Sequence, residues 1–450
     1  MPPAMKKIIL LPLIFGLALT AVAAETNTPA WLTRPLSLAD ALNTALQQNA
    51  AILKAKNDLE ASHGLVVQTR AVALPHLAAS SQYKATDPAA VESNPFFNQP
   101  QQNWTAGIQL VQNIYMGGKM IAAIRAADVT KKQALAIYQT AVADALLSVR
   151  LAYYDVLLAA QQVVVREASV KLLEQELGDQ KHRLDAGTVP KFNVLRAEVA
   201  AANERPSLIQ ARNSYRIAKN NLANLLGYNL PREIWEDIPL NLTDGFDTTT
   251  TEVNLPEAIQ QALDRRTELV AARKTVELQK LNIVDARSGY QPTVSVFAGY
   301  DWFNARFTPP VTLEHDIHGW NAGAQLSWNI FDGAATYGKV TQAKAQHEKS
   351  QTELADQSRQ IELGVRTTYS DLLQARETLD SQAKVQEQAD EALREANART
   401  AAGTGTQLDV LNAETALTQS RTTQIQARHD YSAARAKFER AIGADLAPAK

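Results

Sequence analysis

Few residues in this chain have the types and spacing that chemistry needs. Glu314, His315, Asp316 and His318 set two carboxylates and two imidazoles within five positions. Such a set can hold a divalent ion when further ligands complete it. Nothing nearby in the sequence does so. The segment around it, Asn304 to Gly319, reads as a polar loop, and a solvated loop is the favoured account. The seven His are otherwise scattered, and Cys is absent. Disulfides, thiol catalysis and thiolate metal sites are thereby removed. No phosphate-binding glycine loop or nucleophile elbow occurs. A formal net charge of -2 gives no basic surface for nucleic acid. The residues assign no enzyme activity, no cofactor and no metal. Asp409 stands three places after Thr406, the spacing of an acid that steadies a helix start.

The elements that carry these residues are duplicated. Adding 216 takes Trp104 to Trp320, Gln109 to Gln325, Tyr153 to Tyr369, Gly187 to Gly403, Glu198 to Glu414 and Gly227 to Gly443. A shift of 217 takes Leu38 to Leu255, Ala41 to Ala258 and Pro75 to Pro292. A fixed period held that long marks a tandem repeat. The boundaries read as a signal peptide over 1–24, repeat 1 over 25–230, a linker over 231–253, repeat 2 over 254–446 and a tail over 447–450. The leader has Lys6 and Lys7, then an apolar run, then an Ala21-Val22-Ala23 cleavage pattern. The protein is therefore expected to be exported.

Each repeat predicts one helix, two strands and a long helical hairpin. The first helix spans Leu36 to Val72, with Ser37 as N-cap, and its copy spans Leu255 to Ser288. After each Pro the apolar period becomes two. Val294, Val296, Ala298, Tyr300 and Trp302 share a face, as do Trp320, Ala322, Ala324, Leu326 and Trp328. Trp104, Ala106, Ile108 and Leu110 repeat this in the first copy, and His76 to Tyr83 supplies its partner. Strands of about 9–11 residues with one apolar face suit a membrane barrel. Lys84 to Asn103 is the other polar loop. The hairpins follow. Gly117 to Ala186 and Gly333 to Ala402 predict helices of roughly 105 Å. Each returns through Pro190 to Leu226 or Thr406 to Ile442. The outgoing stripe in the first copy includes Leu135, Val142, Val149, Ala152 and Val156, at coiled-coil spacing. The returning helices are half as long, so the short first helices are expected to stack end to end with them. Pro206 predicts a kink. The joining segment, Tyr228 to Asn254, predicts short packed structure around Ile234, Trp235 and Ile238.

Four strands cannot close a barrel, and an open edge in lipid leaves backbone groups unsatisfied at several kcal/mol each. The chain must pool strands with copies of itself. An exported coiled-coil scaffold or adhesin without a pore would explain the helices but not the two hairpins with an apolar face. A periplasmic adaptor would carry one helical hairpin and no duplication.

With these features the chain resembles the TolC family of outer-membrane efflux and secretion channels. The marks are the duplication, the strand-to-helix junctions NIYMGG and NIFDGA, and the tips RLDAGTVPKFNVLRAE and RTAAGTGTQLDVLNAE. The resemblance implies a mainly α fold with β. In it a homotrimer builds a transmembrane β-barrel in outer-membrane lipid, four strands per chain, continuous with a long α-helical barrel across the periplasm of a Gram-negative bacterium. It implies an exit duct for a tripartite pump or type I secretion system, with a periplasmic adaptor and a proton-driven or ATP-driven inner-membrane pump as partners. It puts a gate at Asp409, Asn412 and Asn193. Asp409 alone is acidic there. Asn412 and Asn193 stand where the family channel has Asp, and Gly405 replaces a latching Arg. Adaptor-docking tips are implied at Arg183, Gly187, Arg399, Gly403, Val410 and Leu411.

Overall fold

The computed structural model describes residues 35–87, 100–228, 237–249, 253–307 and 314–444. The expected signal peptide, the tail, and Ile234 and Trp235 lie outside the described residues. Repeat 1 consists of α1 (Leu38–Gln48), α2 (Ala50–Ala71), β1 (His76–Ala85), β2 (Pro100–Met116), α3 (Lys119–Asp185) and α4 (Lys191–Leu225). Repeat 2 consists of α5 (Leu255–Arg265), α6 (Thr267–Arg287), β3 (Thr293–Phe307), β4 (Glu314–Ser327), α7 (Ala335–Ala401) and α8 (Gln407–Ala441).

Each predicted first helix is in fact two. Asn49 adopts an extended ψ of 127° and caps α2, its Oδ1 accepting from the N–H groups of Ala51 and Ile52. Its Nδ2 donates to the Leu225 carbonyl at 2.6 Å. The aligned position in repeat 2 is Arg266, with ψ 120°, and it donates to the aligned carbonyl, Ala441, at 3.2 Å. Apolar periodicity runs straight across this break, because the stripe keeps facing the same partner. The end of α4 abuts the break, and α2 continues along α3 toward the strands. That is the expected end-to-end stacking. Helix α4 runs unbroken through Pro206.

The long helices α3 and α7 both have 67 residues, about 100 Å of rise. Each packs along its own returning helix, and α3 also packs on α6 and α8, which binds the repeats together. Two equivalent cores result. One gathers Leu42, Val149, Tyr153, Val156 and Leu222, and the other gathers Leu269, Val365, Leu372, Tyr431 and Phe438. Leu135, read as part of the buried stripe, is exposed. The joining segment is anchored rather than loose. Ile238 and Leu240 enter the first core, and Leu36 and Leu242 form a parallel bridge.

The sheet has the order β1-β2-β3-β4 and every pairing is antiparallel. β2 pairs with β3, so the two repeats share one sheet. The strands hold 10, 17, 15 and 14 residues, and the last three are longer than a bilayer alone requires. The extra length absorbs both ends of the predicted polar loop from Asn304 to Gly319. Glu314, His315, Asp316 and His318 therefore sit on β4, and Trp328 falls just beyond it.

Two consecutive left-handed residues make each sharp transition from sheet to helix, Gly117 and Gly118 in repeat 1 and Gly333 and Ala334 in repeat 2. Gly117 has φ +59°, and a Cβ there would lie 2.6 Å from the Gln291 Cβ. Gly187, at the first hairpin tip, has φ +71° and open space around it. Gly187→Ala should destabilise the helical fold by about 1–2 kcal/mol through left-handed strain alone. Gly117→Ala should lose distinctly more, read as the drop in unfolding midpoint by circular dichroism. Equal losses at the two glycines would contradict the close approach at the junction.

Candidate functional site

The candidate functional residues fall at three levels of the chain: sheet, equator and tips. On the sheet, paired strands put Ile108, Tyr300 and Trp320 in one row, and Ala106, Trp302 and His318 in the next. This apolar face is bare, with Trp320 80% exposed and Leu326 and Ile108 also exposed. Aromatic groups collect at its loop end. The Trp104 and Trp302 rings meet edge to face at 5.8 Å, Tyr300 Oη and His318 Nδ1 are 2.6 Å apart, and Trp302 Nε1 donates to Asp316 Oδ1 at 2.6 Å. At the helix end, Trp328 Nε1 donates to the Tyr290 carbonyl. An apolar band with aromatic groups at both ends is the form of a lipid-facing wall. The opposite face carries Ser80, Gly107, Asp301 and Gly319 in one row, and Asp301 accepts a hydrogen bond from Asn321.

The residues read as a candidate metal cluster are split between faces of the strand. Strand alternation puts His315 on the face opposite Asp316 and His318, and those two are engaged with Trp302 and Tyr300. Among the described residues no group of three or more His, Cys, Asp and Glu could hold a metal ion. No described helix is long and apolar enough to cross a membrane.

At the equator the two hairpins are tied by charge. Arg440, on α8, reaches Asp144 of α3 at 2.7 Å and Glu268 of α6 at 2.6 Å. Arg266 joins the same Glu268 carboxylate, Arg150 of α3 meets Glu439 of α8 at 2.5 Å, and Arg435 joins Glu439 to Asp247 of the joining segment. Burial pushes the Glu268 carboxyl up, but hydrogen bonds from Arg266 and its own backbone, with the Arg440 and Arg266 charges, bring it down to about 2. His429 has both ring nitrogens at 2.9 Å from carboxylates, Asp155 across the seam and Asp430 beside it. Burial alone would lower its pKa, yet these two partners raise it. Sequence reading missed the network because its members are far apart in the chain. Only their common place near the ends of duplicated helices could have pointed to it.

At the tips, the turn after α3 closes with Gly187 N–H donating to the Leu184 carbonyl and Thr188 N–H to the Arg183 carbonyl, both at 2.9 Å. That is a Schellman closure. The second tip uses Gly403 and Thr404 in the same way, on Thr400 and Arg399. Arg183, Gly187, Arg399 and Gly403 are all exposed, and Arg399 pairs with Glu395. Val410 and Leu411, read as docking positions, are buried within the chain, so they stiffen the tip rather than present a surface. Gly405 fits a tight bend. A Cβ would lie 2.9 Å from the Thr400 nitrogen, which leaves no room for an Arg on this backbone.

Asp409 forms the expected capping box. Its Oδ2 accepts from Thr406 N–H at 2.9 Å and Thr406 Oγ1 at 2.7 Å, and these bonds lower its pKa. It remains exposed and ionised, one helical turn from the exposed Asn412. Asn193 is half-buried on the neighbouring tip, and its carbonyl accepts from Gln407 Nε2 at 3.1 Å. The three expected gate residues therefore sit at one end of the molecule, where the hairpins touch.

Comparison with known proteins fits this layout. The family model described as Outer membrane efflux protein matches residues 41–228 and again 258–444. The Outer membrane protein TolC of Escherichia coli (strain K12) is 23% identical over 98% of this chain and 87% of its own length. The Proteases secretion protein PrtF of Dickeya chrysanthemi is 23% identical over 58% of this chain and 55% of its own. Among solved structures, the outer membrane protein VceC from Vibrio cholerae superposes with a TM-score of 0.74 at 20% identity, covering 91% of this chain and 96% of its own.

The equatorial network yields a pH prediction. A depressed folded pKa means that the stability Glu268 contributes is present above its ordinary value of 4.5 and lost as pH falls through about 2. Glu268→Gln should cost about 3 kcal/mol at pH 7. Its unfolding free energy, from urea titrations, should also be flatter than wild type between pH 4.5 and 2.

Proposed function

The chain belongs to the outer membrane efflux protein family, and from that premise we propose that three copies assemble into a passive exit duct for an efflux or secretion system, gated at the helical tips. The observation that carries this reading is the sheet. Four strands with two unpaired edges and a bare apolar face have no stable place in water or in lipid. Pairing β4 of one copy with β1 of the next removes both edges, and three copies supply twelve strands. A barrel of about eight strands is filled by its own side chains, and a larger one leaves a passage. The small polar inward face suits a wet passage.

The long helices continue that wall. Six of 67 residues, two from each copy, span about 100 Å beneath the barrel, the scale of a periplasmic extension. The known proteins that the chain resembles are channels and secretion components rather than enzymes. A periplasmic adaptor at the exposed tip arginines and glycines, and an inner-membrane pump beneath it, complete the proposed path. Residues 1–24 serve as the export signal and 231–253 as the connection between repeats.

Within the tip, three exposed Asp409 carboxylates converging on one axis would attract cations and slow anions. Crosslinking or native mass measurement in detergent should find three chains, and a stable monomer would sink the reading. In planar bilayers the channel should prefer cations. Asp409→Ala should lower that preference, with a shift in reversal potential under a salt gradient, and an unshifted potential would remove Asp409 from the gate.

A further inference from the structure

The contact between α3 and α8 changes character from equator to tip. At the equator it is made of ion pairs, Arg440 with Asp144 and Arg150 with Glu439. Toward the tip it is polar and short of hydrogen-bond donors. Glu414, on α8, is only 5% exposed, and its Oε2 has no partner. Gln180, on α3, is 2% exposed; its Nε2 donates to Glu176, and its Oε1 has no partner. Gln407, at the foot of α8, donates to Asn193 and likewise leaves its Oε1 bare. The aligned residue in repeat 1, Glu198, is exposed, so burial of this carboxylate is a property of the second hairpin alone.

We propose that this lower seam is a pH-dependent catch, in which protonated Glu414 holds the second hairpin against the first and ionised Glu414 releases it. A carboxylic O–H is a donor, and the buried Glu414 Oε2 has no partner while it is only an acceptor. One added proton supplies that donor and removes a buried charge together. Burial, with the negative Glu176 across the seam, pushes Glu414 up to about 7. Several other charges near the tip are paired, while Asp179, Lys181 and Arg183 of α3 are exposed to solvent. On α7, Arg394 pairs with Glu391 and Arg399 with Glu395. On α8, Asp409 is held in the capping box, and Arg421 pairs with Asp390. Burial and Glu176 are the influences acting on Glu414; among the described residues no cation offsets them.

The direction of the switch follows. A raised folded pKa means that closure is favoured below the ordinary carboxylate value of 4.5 and weakens as pH rises through about 7. Acid closes the seam and mild alkali loosens it, while the equatorial network holds its position because Glu268 stays ionised throughout this range. The moving part is thereby confined to the tip half of α8.

The native chain has no Cys, so paired nitroxide labels can be placed cleanly at Thr188→Cys and Thr404→Cys, one on each hairpin turn. The full chain in detergent should show a tip-to-tip distance by electron–electron resonance that lengthens between pH 6 and pH 8, with a midpoint near neutrality. Glu414→Gln should stay short at both pH values, Glu198→Gln should follow wild type, and Glu176→Gln should move the midpoint toward acid. A wild-type distance that ignores pH, or a Glu414→Gln series that tracks wild type, overturns the catch. If Glu414→Gln fails to assemble, the wild-type titration and the Glu176→Gln shift decide the matter without it. The link to transport rests on the proposed duct and is read separately, as single-channel conductance that rises with pH. A tip that moves without a change in conductance keeps the catch and overturns the gate.

Discussion

A backbone in hydrocarbon has no water to satisfy it, and that constraint governs the rest of this molecule. A helix meets the demand within one segment, and a sheet meets it only when closed. No described helix is long and apolar enough to cross a membrane. The β2–β3 pairing joins the two repeats in one four-stranded sheet, and in the proposed duct that sheet closes only with strands from other copies. The same need extends below the membrane. A 67-residue helix is not held by its own propensity, and α3 finds lateral partners in α2, α4, α6 and α8. Strand pairing between copies would bring the remaining helix faces together at no further cost in search.

The two repeats solve identical backbone problems with different side chains. The break between the first two helices of each repeat is capped by Asn49 in one and bridged by Arg266 in the other, each reaching the aligned carbonyl. The choice matters. A neutral Asn ends its reach there, whereas Arg266 also feeds charge into Glu268 and so enters the network that joins the hairpins. Gly118 and Ala334 occupy the same left-handed position, but the second junction adds the Asp332 carboxylate, which accepts from the Thr336 N–H and hydroxyl and steadies the strained start of α7. Repeat 1 has the larger apolar core.

Much of this was legible in the amino-acid order, for identifiable reasons. The period of two and the period near 3.6 are set by side-chain geometry, so the strands, their faces and the long hairpins could be read from apolar spacing. The shift of 216 ties each element to its copy. The Thr406–Asp409 capping box was legible because it is local. What escaped was either conformational at a single residue or distant in sequence. Nothing in apolar spacing marks the extended ψ of Asn49 or Arg266. Polar composition suggested loops over Asn304 to Gly319, but a strand projecting past the bilayer is free to be polar on both faces. Val410 and Leu411 read as tip surface from the resemblance, whereas their burial depends on α3 crossing behind α8.

The distribution of strong and weak contacts along the α3–α8 seam is itself a mechanical statement. Buried ion pairs that share partners resist separation, because removing one partner leaves the others uncompensated in a dry setting. Arg440, Glu268, Arg266 and Glu439 concentrate that resistance at the equator. Unsatisfied buried oxygens act oppositely, since opening the seam hydrates them. Gln180, Gln407 and Glu414 concentrate that tendency toward the tip. A rod clamped firmly at one point and loosely at its end bends at the loose end. In the proposed duct, displacement of α8 therefore belongs at the tip, and the sheet above the clamp stays undisturbed.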